Sequence, residues 1–100
     1  MKNVVLLCAA GMSTSLLVSK MQQAAAEENY EVIISAHPYS AASTVVPDAD
    51  VVLLGPQVRF NLKKLQEEFP DKKIATIEMM DYGTVNGKAV LKTAKDMMGD

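Results

Sequence analysis

Four short apolar runs, each followed by a helical pattern, constrain the fold of this chain more than any other feature of its sequence. The runs predict strands at 3–7, 30–36, 51–54 and 73–77. The intervening patterns predict helices at 16–29, 40–46, 57–69 and 86–98. Short continuous apolar runs are typical of strands buried on both faces of a parallel sheet. The alternation predicts a single open four-stranded parallel sheet with helices on both faces, as in flavodoxin-like and Rossmann-like folds.

Breaks between these elements are marked by proline and by polar clusters. We expect His37-Pro38 to end the second strand, because proline cannot continue a sheet interior. Residues 78–84 are predicted to be a loop before the last helix. The clearest helix, 57–69, carries an apolar stripe that consists of Val58, Leu62, Leu65 and Phe69.

Composition excludes several classes of protein. One hundred residues predict one domain, 1–100, and a net charge of −2 argues against nucleic acid as the main partner. The longest apolar runs, about five residues, are far shorter than the roughly 20 that a membrane span needs. The first residues lack the pattern of a signal peptide, and a single cysteine cannot form an internal disulfide, so we expect a cytoplasmic protein. One Cys and one His predict no zinc site, and no cofactor is expected.

The most informative segment follows the first strand. Cys8 ends the apolar run, and small and hydroxylated residues lead from it to the first helix. Small side chains leave backbone N–H groups uncovered, and a helix start adds donors with a partial positive charge. The predicted phosphate-binding loop consists of Ala9, Ala10, Gly11, Met12, Ser13, Thr14 and Ser15. This field favours a thiolate at Cys8, which we expect to accept a phosphoryl group and pass it on.

Three functional alternatives stay open at this point. Low-molecular-weight tyrosine phosphatases carry a cysteine, five further residues and an arginine, and related arsenate reductases are a second enzymatic alternative. Here Thr14 is the sixth residue after Cys8, and the next basic residue downstream is Lys20. Losing the guanidinium clamp favours phosphoryl transfer over hydrolysis. A flavodoxin-like module that binds a flavin or nucleotide phosphate is the third alternative, and a cysteine that is simply a small buried residue is the plainest interpretation.

The same edge of the sheet predicts the rim of the site. Loops after the third and fourth strands emerge beside Cys8, because ligands of open parallel sheets bind beyond the carboxyl ends of the strands. The predicted rim consists of Gly55, Pro56 and Gln57 from one loop and Asp81, Tyr82 and Gly83 from the other. His37 is predicted to be an edge residue without chemistry, and Asp48 and Asp50 to be turn residues at the opposite edge.

The segment Cys8-Ala-Ala-Gly-Met-Ser-Thr-Ser-Leu-Leu-Val18 resembles the active-site segment of the IIB component of the phosphoenolpyruvate-dependent sugar phosphotransferase system. Among IIB components, the resemblance is to the lactose/cellobiose/N,N'-diacetylchitobiose family. Residues 49–57, Tyr82-Gly83 and Asn86-Gly87 extend the resemblance over nearly the whole chain.

The resemblance implies a complete phosphoryl relay. A phosphohistidine of a IIA protein would donate to Cys8, and phospho-Cys8 would donate to a sugar held by the membrane protein IIC. The phosphate-binding loop of the family would correspond to residues 9–15. The chain would lie at the inner face of the membrane through IIC, without inserting into it. Neither the sugar nor the oligomeric state follows from the sequence.

Overall fold

The computed structural model describes residues 1–9 and 14–100, and a parallel sheet forms its centre. The strands are β1 (Lys2–Cys8), β2 (Val32–Pro38), β3 (Val51–Leu54) and β4 (Lys73–Thr76). All pair in parallel, in the order β2-β1-β3-β4. The predicted open four-stranded parallel sheet is therefore confirmed, and β1 is an interior strand.

Helices and short 3₁₀ turns cover both faces of the sheet. The α-helices are α1 (Ser15–Glu27), α2 (Ala42–Val45), α3 (Leu62–Glu68), α4 (Met79–Gly83) and α5 (Gly87–Met98). The 3₁₀ turns are Tyr39–Ala41, Val46–Asp48 and Pro56–Asn61. Within the two described ranges, no helix has both the length and the apolar character needed to cross a membrane.

Two apolar layers sandwich the sheet because alternate side chains of β1 point to opposite faces. Val4 and Leu6 pack with α1 and α5, whereas Val5 and Leu7 pack with the elements around α3. The inner faces of both long helices are buried: Leu17, Met21, Ala24 and Ala25 in α1, and Val90, Leu91, Ala94 and Met98 in α5. The predicted arrangement of helices on both faces is confirmed.

A glycine sets the distance between the two helices on one of these faces. A Cβ atom built on Gly87 would lie 2.5 Å from the carbonyl carbon of Lys20 and 2.5 Å from the nitrogen of Met21. Any larger residue would therefore push α5 away from the backbone of α1. This contact fixes the position of the start of α5, and therefore also the position of residues 84–86, which join α4 to α5.

The second strand differs from its prediction at both ends. It starts at Val32 rather than Tyr30, because α1 ends at Glu27 and Asn29 takes a left-handed φ of 54° before the chain extends. It ends at Pro38, which pairs with Cys8, so the predicted end at residue 36 was wrong: His37 and Pro38 belong to the strand. Because β2 is an edge strand, the missing N–H of a proline at its last position costs the sheet no interior hydrogen bond.

Two helical predictions also need correction. The segment predicted as one helix over 57–69 is a 3₁₀ segment, Pro56–Asn61, followed by α3, and Val58 within the 3₁₀ segment adopts a non-helical φ of −120°. The apolar stripe is nevertheless real, since Val58 and Leu65 are buried. Residues 78–84, predicted as a loop, contain α4, a helix of a single turn that follows β4.

Polar side chains fasten the amino edge of the sheet. The backbone N–H of Asn3 donates to Asp50 Oδ2 at 2.7 Å, and its side-chain amide donates to the carbonyl of Asp48 at 3.0 Å. Lys72 Nζ donates to the carbonyls of Pro47 at 2.7 Å and Ala49 at 3.1 Å. Asp48 and Asp50 therefore lie in turns at this edge, as predicted.

Candidate phosphoryl-transfer site

Cys8 is the last residue of β1 and is fully buried, with 0% of its surface exposed. Its Sγ lies 3.4 Å from Oγ1 of Thr14, whose side chain is also fully buried. Thr14 occupies the N-cap position of α1, yet its side chain makes no capping hydrogen bond to the helix. The hydroxyl that would ordinarily cap the helix is instead directed at the thiol.

The predicted phosphate-binding loop is described only at its two ends. Ala9 is exposed beyond β1, and Ser15 is the exposed first residue of α1. Ala10, Gly11, Met12 and Ser13 lie outside the described residues. The first turn of α1 carries no acidic residue, so the positive end of its dipole is not offset by a neighbouring carboxylate. The start of α1 therefore favours an anion close to Cys8.

The chain that leaves β3 passes directly beside Cys8. Gly55 N donates to the carbonyl of Leu7 at 2.7 Å, next to the end of β1. A Cβ atom on Gly55 would lie 3.5 Å from Cys8 Cβ and 2.9 Å from Gln57 Oε1. Since the φ of Gly55 is −64°, which any residue adopts, glycine is favoured here by the space and not by the backbone conformation.

A hydrogen bond joins the two predicted rim segments. Gln57 Nε2 donates to the hydroxyl of Tyr82 at 3.1 Å. Tyr82 is a half-buried residue of α4 that packs against the apolar layer of α1 and α5. The pairing of Gln57 with Tyr82 joins residues 25 positions apart, so spacing along the sequence gave no signal for it.

The remaining predicted rim residues lie in the same two segments. Pro56 is buried at the start of its 3₁₀ turn. Asp81 is half-buried in α4, and its carbonyl accepts a hydrogen bond from Asn86 N at 2.8 Å. Gly83 ends α4 and is exposed. The roles of these three residues stay a prediction.

His37 lies close to the site but on the other face of the sheet. It pairs with Leu7 in the β1–β2 ladder, and its Nε2 lies 3.1 Å from Ser35 Oγ. Paired residues share a face, and consecutive residues of a strand alternate, so His37 and Cys8 point in opposite directions. Within residues 1–9 and 14–100, no group of three or more His, Cys, Asp or Glu side chains is arranged to hold a metal ion.

The fold and the buried cysteine at the carboxyl edge define a small α/β protein with a site suited to an anion. The family described as "PTS system, Lactose/Cellobiose specific IIB subunit" matches residues 3–93. The chain therefore belongs to the lactose/cellobiose-specific IIB family and is a component of a sugar phosphotransferase system, which confirms the resemblance found in the sequence.

Relatives of known specificity match over nearly their whole length. The galactose-specific EIIB component of Lactococcus lactis subsp. cremoris is 44% identical, over 97% of this chain and 96% of that protein. The cellobiose-specific EIIB component of Lactococcus lactis subsp. lactis is 43% identical over the same shares. The solution structure of the cellobiose-specific IIB component from Borrelia burgdorferi is 43% identical, with a TM-score of 0.82 over 98% of this chain and 92% of that one.

Similar sequences also occur as parts of longer proteins. The lactose-specific EIICB component of Lactococcus lactis subsp. lactis is 32% identical over 97% of this chain, which covers 16% of that protein. Its name combines a IIC and a IIB part. In that relative, a segment similar to this chain is covalently linked to a IIC component.

Proposed function

We propose that Cys8 accepts a phosphoryl group from a phosphohistidine of a IIA protein and transfers it to a sugar bound by the membrane protein IIC. The acceptor is a β-linked disaccharide of the cellobiose, chitobiose or lactose type, phosphorylated as it enters the cell. The observation that carries the proposal is the buried pair of Cys8 Sγ and Thr14 Oγ1, 3.4 Å apart, at the positive end of α1.

The chemistry needs a nucleophile and a field that stabilises negative charge. The Cys8 thiolate attacks phosphorus, an S–P bond forms, and the P–N bond to the donor histidine breaks. The Thr14 hydroxyl is placed to donate a hydrogen bond to the thiolate, and the N-terminus of α1 favours both the thiolate and the phosphoryl oxygens. The loop from Ala9 to Ser15 is the proposed phosphate-binding loop. Positioning and charge stabilisation of this kind supply most of the catalysis of phosphoryl transfer.

The residue at position 14 distinguishes a carrier from a hydrolase. A cysteine-dependent phosphatase of the low-molecular-weight type has an arginine six residues after its nucleophile, whereas this chain has Thr14 there. Without a guanidinium to clamp the phosphoryl group, its transfer to water is less favoured. This observation favours the carrier over the phosphatase or arsenate-reductase alternative.

The relatives support the choice of partners. The lactose-specific EIICB relative supports a IIC partner, and we place this chain, as the single domain 1–100, at the inner face of the membrane through such a partner. A galactose-specific and a cellobiose-specific relative are 44% and 43% identical to this chain, so identity does not select one sugar. We assign sugar selection mainly to IIC.

The test is the intact mass of the protein after incubation with phosphoenolpyruvate, the general phosphotransferase proteins and a matching IIA. We expect one added phosphoryl group, labile to iodine and absent from Cys8→Ala. Thr14→Val should slow the phosphorylation of Cys8 by IIA about tenfold, the effect of one lost hydrogen bond. Thr93→Val is the control: it removes a similar hydroxyl from the exposed face of α5, where Oγ1 donates to the Ala89 carbonyl, and should not change that rate.

Two results would contradict the proposal. The first is a protein without added phosphate although IIA is charged. The second is rapid hydrolysis of an aryl phosphate, which would favour the phosphatase alternative instead.

A further inference from the structure

The geometry points to Gln57 as a further residue of this site, whose side-chain carbonyl accepts a hydrogen bond from the imidazole N–H of the partner's phosphohistidine. Tyr82 acts as a positioning residue that holds this amide in place. The inference rests on the proposed function and names a contact between the donor and this chain. It concerns only the first half of the relay, in which Cys8 receives the phosphoryl group.

The position of Gln57 relative to Cys8 is the first observation. A single point, the place where a Cβ of residue 55 would stand, is 2.9 Å from Gln57 Oε1 and 3.5 Å from Cys8 Cβ. The amide oxygen of Gln57 and the side chain of Cys8 therefore border the same space beside Gly55. Gln57 is also exposed, so a partner protein that reaches Cys8 can reach this oxygen.

The orientation of the amide is the second observation. Nε2 is bonded to the Tyr82 hydroxyl at 3.1 Å, whereas Oε1 lies beside Gly55, 2.9 Å from the place of a Cβ atom there. A carbonyl oxygen only accepts hydrogen bonds, and so do the oxygens of an ionised phosphoryl group. Gln57 Oε1 is therefore unsuited to bind the phosphoryl group itself. It is suited to an N–H donor on the molecule that brings that group.

The backbone around Gln57 is held as firmly as its side chain. Val58 N donates to the carbonyl of Gly55 at 3.0 Å, and Arg59 Nη1 donates to the carbonyl of Pro56 at 2.8 Å. Tyr82 packs against the apolar layer of α1 and α5, so its hydroxyl is a fixed anchor. An exposed glutamine otherwise loses rotamer entropy when it binds, and this arrangement has already ordered it.

The reaction step balances with this contact in place. In the protonated, imidazolium form of the phosphohistidine, one ring nitrogen is bonded to phosphorus and the other carries a proton that is donated to Gln57 Oε1. The thiolate lone pair forms the S–P bond, and the electron pair of the P–N bond returns to the ring nitrogen. The imidazole leaves neutral, with its N–H still bonded to Gln57. The contact keeps the ring in line and keeps the proton on the leaving group throughout.

The role of Gln57 can be tested by rapid-quench measurement of phosphoryl transfer from phospho-IIA to Cys8 over a range of IIA concentrations. Gln57→Ala should lower the maximum rate constant about tenfold, as expected for one hydrogen bond in the transition state. The IIA concentration that gives half of the maximum rate should change less than twofold, because an interaction made mainly in the transition state affects the rate constant and not the binding of IIA. Transfer from phospho-Cys8 to sugar in IIC-containing vesicles should stay unchanged.

Two further variants isolate the role of Tyr82. Tyr82→Phe should lower the same maximum rate by a smaller factor, and the double variant with Gln57→Ala should be no slower than Gln57→Ala alone, because Tyr82 acts through Gln57. Gln66→Ala is the matched control, since Gln66 Nε2 donates at 3.2 Å to the carbonyl of Ile74, near the amino end of β4 and away from the carboxyl edge. It should transfer at the unsubstituted rate.

Three outcomes would overturn the assignment: an unchanged maximum rate in Gln57→Ala, a change in half-saturation alone, or a loss confined to the sugar half-reaction. Thermal unfolding of each variant identifies a folding defect, and Tyr82→Phe, which keeps the aromatic packing, gives an independent result if Gln57→Ala is unstable. Failure of the unsubstituted protein to become phosphorylated would overturn the proposed function first.

Discussion

The side chains that flank β1 and β3 bond to different partners at the two edges of the sheet. At the amino edge, the Asp50 carboxylate and Lys72 ammonium bond to backbone groups of neighbouring turns and close them. At the carboxyl edge, Thr14 and Gln57 bond instead to the side chains of Cys8 and Tyr82. Backbone-directed bonds stabilise the fold, whereas bonds among side chains around a thiol orient groups for chemistry. From this comparison we expect substitutions at the amino edge to lower the stability of the fold and substitutions at the carboxyl edge to slow phosphoryl transfer.

Filling the space at Gly55 should give the largest effect. Gly55→Val would place two methyl groups beyond a Cβ that is 3.5 Å from Cys8 Cβ and 2.9 Å from Gln57 Oε1. We expect the initial rate of phosphorylation by phospho-IIA to fall about 100-fold, because small displacements of reacting groups have effects of this size. The free energy of unfolding in urea should fall by about 1–3 kcal/mol, a typical effect of overpacking.

Gly55→Ala tests the same prediction with a smaller side chain. Its only close contact is with the side-chain amide of Gln57, which can shift if its hydrogen bond to Tyr82 is given up, so stability should fall by no more than about 1 kcal/mol while transfer still slows. A Gly55→Val protein that is phosphorylated at the unsubstituted rate would show that the space beside Cys8 is not used, and would remove the distinction between the edges.

Asp50→Ala should produce the reverse result at the amino edge. It removes the 2.7 Å bond from Asn3 N and should lower the free energy of unfolding by about 1 kcal/mol. The rate of phosphorylation should not change, since Asp50 lies at the end of the sheet opposite Cys8. Urea unfolding and quenched-flow transfer on the same preparation check both parts. Asp71→Ala, which alters an exposed carboxylate at the same edge, controls for the change of charge.

The smallest effect is a pH dependence at the amino edge. Burial, reinforced by the nearby Asp100 carboxylate, raises the pKa of Tyr30 from 10 to about 12. The Tyr30 hydroxyl donates to Asp100, and Lys95 Nζ lies 4.7 Å from the ring centroid. The folded state holds the Tyr30 proton more tightly than the unfolded state does. This contribution to stability is therefore complete below pH 10 and is lost between pH 10 and pH 12.

Tyr30→Phe should remove that part of the alkaline loss. The measurement is the free energy of unfolding in urea at several pH values from 9 to 12, together with the ultraviolet titration of the tyrosines. An identical alkaline slope in both proteins would contradict the assignment. Phosphorylation of Cys8 at neutral pH should be the same in both, which again separates the amino edge from the site.

The sequence predicted the sheet because the physics of buried parallel strands is local. Continuous apolar runs at 3–7 and 51–54 left no alternative to burial on both faces, and β1 and β3 occupy these positions. The helix at 86–98 was predicted for a similar reason, since Val90, Leu91 and Ala94 follow the helical period. The order of strands, which the sequence did not specify, places Cys8 at the carboxyl end of an interior strand.

The features that were not predicted either depend on contacts between distant segments or have no buried face. α4 is an example of the second kind: its apolar residues Met79 and Met80 are 62% and 75% exposed, so they do not form the apolar stripe by which a helix is predicted. The kink at Val58 is hidden, because a 3₁₀ turn and an α-helix present similar apolar spacing over a few residues. The hydrogen bond from Gln57 to Tyr82 requires two segments to meet in space, which no spacing along the chain specifies.

The interior position of β1 has a consequence for how the protein is made. Synthesis begins at the amino end, so Cys8 leaves the ribosome well before Gly55, whose N–H binds the carbonyl of Leu7, and before β3, which completes the pairing of β1. Parallel strands so distant along the chain pair late in folding. The nascent chain therefore carries the Cys8 thiol unshielded from oxidants and metal ions, and the protection of that thiol is acquired only after residues 51–55 have been synthesised.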